Sequence, residues 1–223
     1  MAETAKILNP SKKVLLPDMD AGCSLAEACP ADKLEAWRKQ NPDHWVVTYI
    51  NCTAATKAQS DIICTSSNAP KILANAPKDR PILFAPDRNL GAWLSKETGR
   101  EMDLWPGTCM VHVTFSERQV IELKQRNPDA KFVAHPECEQ HILRHADFIG
   151  STRKLLEFVR DDEAKRFIVG TESGILHTMR KSAPDKELIE APVENKGGCT
   201  ACSQCPHMKL NTLEKVYLAL RDL

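Results

Sequence analysis

The chain has 223 residues, room for one large domain or two of ordinary size. Thirty basic residues balance thirty acidic ones and no stretch concentrates one sign, which argues against a nucleic-acid or membrane-surface role. A hydrophobic content of 42 % excludes global disorder, and no run reaches the roughly 18 apolar residues of a membrane span.

In chain order, the start "MAETAKILNP" lacks the basic and apolar sections of a signal peptide, so the expected setting is cytoplasmic. Nine cysteines in such a chain point to metal or catalysis before disulfides. Cys23 lies on the small-residue turn "DAGCSL". A β-rich run, "WVVTYIN" from Trp45, leads into a helical segment. A second β-rich piece, "DIICTSS" from Asp61, leads into an apolar helix, and a third, "ILFAPD", begins at Ile82. Cys109 follows on another small-residue turn, "WPGTCM", and the plan starts again. Its second statement runs "KFVAHPE" from Lys131, "DFIGST" from Asp147, the helix of "RKLLEFV", and "FIVGTE" from Phe167.

The two statements are related by a shift of 86 residues, which carries Cys23 onto Cys109. It also lays Tyr49 on His135, Asn51 on Glu137, Asp61 on Asp147 and Ser66 on Thr152, and the same shift is expected to carry the Ile82 strand onto the Phe167 strand. Strands alternating with helices at this spacing predict an α/β fold of repeated αβα three-layer domains, each with a parallel sheet. Ligands collect at the carboxyl ends of such strands. Tyr49, Asn51, His135 and Glu137 fall there, each pair at i and i+2 and therefore on one side of its strand. "CTSSNAP" and "GSTRK" lead from strand to helix, so Ser66 and Thr152 stand at helix starts suited to a phosphate or carboxylate. Each feature also has a plainer reading. A Ser or Thr before a helix is often only a cap, Tyr49 and His135 could be satisfied core residues, and Asp61 and Asp147 read as turn or capping residues. The repeat raises the functional reading of the set, because one geometric role occurs twice.

Near its end the chain carries "CTACSQCPHM", with Cys199, Cys202 and Cys205 spaced as CxxCxxC. Alone this spacing is open to an iron–sulfur site, a zinc site or a redox pair. A fourth cysteine at ferredoxin spacing is missing, whereas Cys23 and Cys109, one repeat apart, favour iron–sulfur. Cys29, Cys52, Cys64 and Cys138 read as small buried hydrophobes.

Taken together, "PDMDAGCSLAEACP", "YINCTAATKAQSDIICTSSNA", "APDRNLGAWL", "WPGTCMVHVTF", "AHPEC", "GSTRKLLEF" and "CTACSQCPHM" resemble the quinolinate synthase family, in order and over essentially the whole chain. The resemblance implies related αβα domains in a pseudo-threefold arrangement around one [4Fe-4S] cluster, with two of the repeats present here. It implies cluster ligands at Cys23, Cys109 and Cys205, leaving one iron open as a Lewis acid, and makes Cys199 and Cys202 auxiliary. The implied reaction condenses iminoaspartate with dihydroxyacetone phosphate to quinolinate in NAD biosynthesis, with possible coupling to an aspartate oxidase. Glu137, Tyr49 and His135 are then the catalytic candidates, and Tyr49, Asn51, Ser66, His135, Glu137 and Thr152 line the substrate site. The expected organisation is 1–22 as the end of a first domain otherwise absent, 23–108 as the middle repeat, 109–195 as the last, and 196–223 as the cysteine motif and a helix. Two further readings stand beside this one: an inactive metal-binding fragment, and a ferredoxin-like iron–sulfur protein.

Overall fold

The computed structural model describes residues 1–194 and 203–222. The chain divides into two compact units, one made of Met1–Thr108 with Cys205–Leu223 and the other of Cys109–Gln204.

The first unit opens with helices α1 (Ala2–Leu8), α2 (Ser24–Glu27) and α3 (Ala31–Gln40). Then come β1 (Trp45–Tyr49), α4 (Ala54–Ala58), β2 (Ile62–Cys64), α5 (Ala69–Ala74), β3 (Ile82–Ala85), α6 (Arg88–Thr98) and β4 (Asp103–Leu104). All four strands are parallel, in the order β2-β1-β3-β4. Side chains alternate across the strands, so Val47, Ile82 and Phe84 enter one core with Leu73, Leu90 and Leu94, while Val46, Leu83 and Ala85 enter another with Cys29, Leu34 and Trp105. Each Val, Leu, Ile or Phe among them contributes about 1.5–3 kcal/mol when fully buried, which is why a parallel sheet is covered on both faces. Local signals set the helix ends. Asp87 accepts from the Leu90 N–H at 2.7 Å to cap α6, and Gly99 closes that helix with φ of +65°, a conformation that favours glycine.

The second unit contains α7 (Glu117–Arg126), β5 (Lys131–Ala134), α8 (Gln140–Leu143), β6 (Phe148–Ile149), α9 (Thr152–Asp161), β7 (Arg166–Gly170), α10 (Ile175–Ser182) and β8 (Glu187–Glu190). Its sheet is also parallel, in the equivalent order β6-β5-β7-β8. Val133, Phe167 and Val169 form a core with Leu155, Val159, Leu176 and Met179. The chain then returns to the first unit through α11 (Pro206–Lys209) and α12 (Leu213–Arg221), where Lys215 pairs with Asp18.

The repeat is visible bond by bond. Asp61 accepts from the Val46 N–H at 2.8 Å and pairs with Arg38 at 2.9 Å. Asp147 accepts from the Phe132 N–H at 2.7 Å and pairs with Lys124 at 3.0 Å. Asn41 closes α3 by donating to the Trp37 carbonyl, and Asn127 closes α7 by donating to the Leu123 carbonyl. Every partner in one unit lies 86 residues from its counterpart in the other. The third strand departs from this expectation. Trp45 pairs with Ile82 and Lys131 with Phe167, so the offset there is 85, and the crossover into β7 is one residue shorter than that into β3. The fourth strands, β4 and β8, go beyond the pattern read from the sequence.

Candidate functional site

In the first unit, the carboxyl end of β1 delivers Tyr49 as its last residue and Asn51 two positions on. The Tyr49 hydroxyl donates to Ser66 Oγ at 3.4 Å, and Asn51 Nδ2 donates to Cys23 Sγ at 3.4 Å. Ser66 lies in the turn that leads from β2 to α5. Cys23 occupies the extended residue just before α2, and Cys205 has the same relation to α11. Gly22 adjoins His207, since a Cβ there would lie 3.7 Å from its Nδ1, so the turn of Cys23 and the helix that follows Cys205 are neighbours.

In the second unit the corresponding rim is more highly charged. His135 and Glu137 follow β5, and both are buried, as is His112. Ligand atoms of Cys109, His112 and Glu137 all lie within 4.8 Å of one another. His112 Nδ1 stands 3.0 Å from Glu137 Oε2, at ion-pair distance but outside hydrogen-bond geometry, and its Nε2 lies 3.1 Å from Thr171 Oγ1. The rings of His112 and His135 stack with centroids 4.8 Å apart. His135 Nδ1 accepts from the Glu137 N–H at 3.3 Å, which puts any ring proton of a neutral His135 on Nε2.

These contacts set the charges. Burial pushes His135 down to about 4, so it is neutral near pH 7. Burial also works against a charged His112, but Cys109 and Glu137 outweigh it and push that imidazole up to about 10. Burial alone would raise Glu137, yet the contacts of its carboxylate with His112 and Cys109 hold it well below the usual carboxylate range. The standing positive charge opposite Glu137 is therefore that of His112. An ionised, buried carboxylate beside a fixed cation can hold or accept a proton, and a Cys, His and Glu set offers ligands to a transition metal.

The cysteines separate by environment. Cys29, Cys52, Cys64 and Cys138 are all buried, as the sequence suggested, and burial pushes the first three up to about 12. Cys23, Cys109 and Cys205 are half-buried and free of disulfides. Reachable thiols on turns, with the Nδ1 of a buried His112 lacking a hydrogen-bond partner beside one of them, fit an iron–sulfur group. Cys199 and Cys202 lie outside the described residues.

Of the residues singled out in the sequence, the first unit brings together Tyr49 with Ser66 and Asn51 with Cys23, and the second brings together His135, Glu137 and Cys109. Thr152 is exposed at the start of α9, where Ser151 supplies the capping oxygen. Asp61 and Asp147 brace the strands by accepting from their N–H groups, a duty other than the turn or cap read from the sequence. His112 and Thr171 were not anticipated. The signal for His112 is its place three residues after Cys109, where the repeat carries Ala26 three residues after Cys23.

Among the described residues no helix is long and apolar enough to cross a membrane. The family described as quinolinate synthetase A protein matches residues 1–223. A quinolinate synthase of Microcystis aeruginosa is 60% identical over 222 residues, covering 100% of this chain and 69% of that protein. One from Thermosynechococcus vestitus is 59% identical over 222 residues, with the same two shares. One from Prochlorococcus marinus is 58% identical over 223 residues, covering 100% of this chain and 66% of that protein. The chain thus spans about two thirds of the length of these relatives, and with a family match from its first residue to its last it belongs to the quinolinate synthase family.

Proposed function

We propose that this chain carries the cluster-binding and proton-transfer parts of a quinolinate synthase, which condenses iminoaspartate with dihydroxyacetone phosphate, releasing phosphate and two waters as the pyridine ring closes. The observation that carries this reading is the gathering of Cys109, His112 and Glu137 within 4.8 Å on the rim of a parallel sheet, in a chain of this family. Cys23, Cys109 and Cys205 would hold a [4Fe-4S] cluster. When bound, that cluster supplies Lewis acidity at the iron that no cysteine holds.

The remaining roles fall to side chains. Glu137, ionised and buried, takes a proton from a carbon of the three-carbon phosphate as it isomerises, and returns it to an oxygen that leaves as water. Tyr49, hydrogen-bonded to Ser66, is the second hydroxyl available for proton transfer. His135 is neutral, and its Nε2–H orients a substrate oxygen without adding charge. Ser66, in the turn before α5, and Thr152, at the start of α9, supply hydroxyls for phosphate or carboxylate, and Asn51 an amide. The imine comes from a reaction that oxidises an amino acid such as aspartate, and an aspartate oxidase is the fitting source. An inactive metal-binding fragment or a ferredoxin-like carrier would have no use for a buried carboxylate at a strand end.

The test is Mössbauer spectroscopy of the anaerobically reconstituted chain, with and without a substrate analogue, alongside turnover by Glu137→Gln. A four-iron cluster with one iron perturbed by the analogue, and a variant that keeps the cluster but loses turnover, is the expected result. Full turnover by Glu137→Gln would remove Glu137 from the mechanism, and a chain that takes up only zinc would remove the cluster.

A further inference from the structure

We infer that His112, held at Nε2 by Thr171, is the positioning residue that aims the Glu137 carboxylate at the reacting atoms. The inference rests on the proposed role of Glu137 and adds to it the device that fixes the carboxylate in place.

The first argument comes from the repeat. His112 corresponds to Ala26, and Thr171, one residue past β7, corresponds to Pro86, one residue past β3. Ala26 and Pro86 are both buried, so the scaffold fills these two positions with apolar residues in one unit. In the other unit it buries an imidazole and a hydroxyl, with exposures of 7% and 1%. Burying polar groups costs free energy unless partners satisfy them, and the fold does not need this pair. Its presence in one repeat calls for a reason outside folding.

The second argument is geometric. Two contacts fix the ring of His112. Its Nε2 edge is tied to Thr171 Oγ1 at 3.1 Å, and its face stacks on His135 at 4.8 Å. Its Nδ1 edge is thereby left 3.0 Å from Glu137 Oε2. A ring locked on one edge and one face can act only through the other edge. That edge faces the carboxylate at contact distance, so His112 fixes Glu137 Oε2 when Nδ1 bears a ring proton. The hydrogen-bond angle is not ideal here, which is usual before substrate arrives, since catalytic hydrogen bonds tighten in the complex. Carboxylate orientation matters because a misplacement of about 1 Å can cost on the order of a hundredfold in rate.

The test has a structural and a kinetic arm. In the cluster-free chain labelled with 15N-histidine, long-range proton–nitrogen spectra report which ring nitrogen of His112 bears a proton. A protonated Nδ1 in the parent, whose signal broadens by faster exchange in Thr171→Val while the His135 signals stay in place, is the expected result. A proton on Nε2 alone, with Nδ1 bare, overturns the inference without any need for turnover. In the cluster-loaded chain, His112→Leu should lower kcat by about a hundredfold with KM nearly unchanged and the cluster spectrum intact. His112→Asn, which keeps a donor near the Nδ1 position, should recover at least about tenfold of that loss, a rescue that a merely structural role would not give. Parent-like kcat in His112→Leu, with Glu137→Gln inactive, overturns the positioning role and leaves the Glu137 reading standing. Parent-like kcat in Glu137→Gln overturns both.

Discussion

The two units put the same thiol in different company. Cys23 meets an amide, Asn51, at 3.4 Å, whereas Cys109 meets the carboxylate of Glu137 and the imidazole of His112. Everything beneath that rim is kept. The aspartate that accepts from a strand N–H, the basic residue that pairs with it and the asparagine that closes the preceding helix recur at a constant offset. Bonds that build a parallel αβα layer vary only at a cost in stability, while side chains beyond the strand ends carry no such duty. The pattern of retention and divergence therefore separates scaffold from chemistry within one molecule, with no second protein needed for the comparison.

The largest effect should come from removing the shared element. Cys23→Ser and Cys109→Ser should each abolish uptake of a stable four-iron cluster, while Cys64→Ala, at a buried and protonated thiol, should load normally; iron and sulfide content with visible absorption decides. If the Cys23 variant loaded as well as the parent, the two thiols would not be equivalent despite the repeat. Next come the unequal partners. Glu137→Gln should lower kcat by about 10²–10⁴-fold, as expected for loss of a proton-transfer group. Asn51→Ala should change kcat/KM only about 2- to 10-fold, the worth of one neutral hydrogen bond. Comparable losses from the two would mean that the rims do not differ in the way their charges indicate. The smallest effect tests the scaffold. Asp61→Ala and Asp147→Ala should each cost about 1–3 kcal/mol in urea unfolding, by leaving a strand N–H without its acceptor, and the two costs should match. A large inequality would show that the units do not rely on the shared brace to the same degree.

Much of this was legible in the sequence because burial on both faces of a parallel sheet demands short apolar runs, as in "WVVTY" and "RFIVG", at regular spacing. The partition of the cysteines was legible for the same reason at Cys52 and Cys64, which lie beside or within apolar strands. What escaped has equally physical causes. β4 pairs through only two residues, too few for alternation to register. The one-residue difference in offset lies in a crossover connection, where length is loosely constrained and no periodicity marks it. His112 is not legible from the repeat, because the repeat displays what the two units have in common and this residue marks what they do not. Thr152 was drawn in by its neighbour, since "GST" offers two hydroxyls and Ser151 takes the capping position.

The return of the chain to its first unit also imposes an order in time. Residues 205–222 complete the unit that Met1–Thr108 began, yet the ribosome makes them only after the whole of the second unit. At ordinary rates of synthesis Cys23 waits on the order of ten seconds for Cys205. During that interval the turn of Cys23 has no α11 beside it, and a nascent chain offers its thiols one at a time rather than as a set. A metal group that needed both thiols of the first unit could settle only on a chain whose second unit had already been made, so the topology would place any such loading late in the protein's biogenesis.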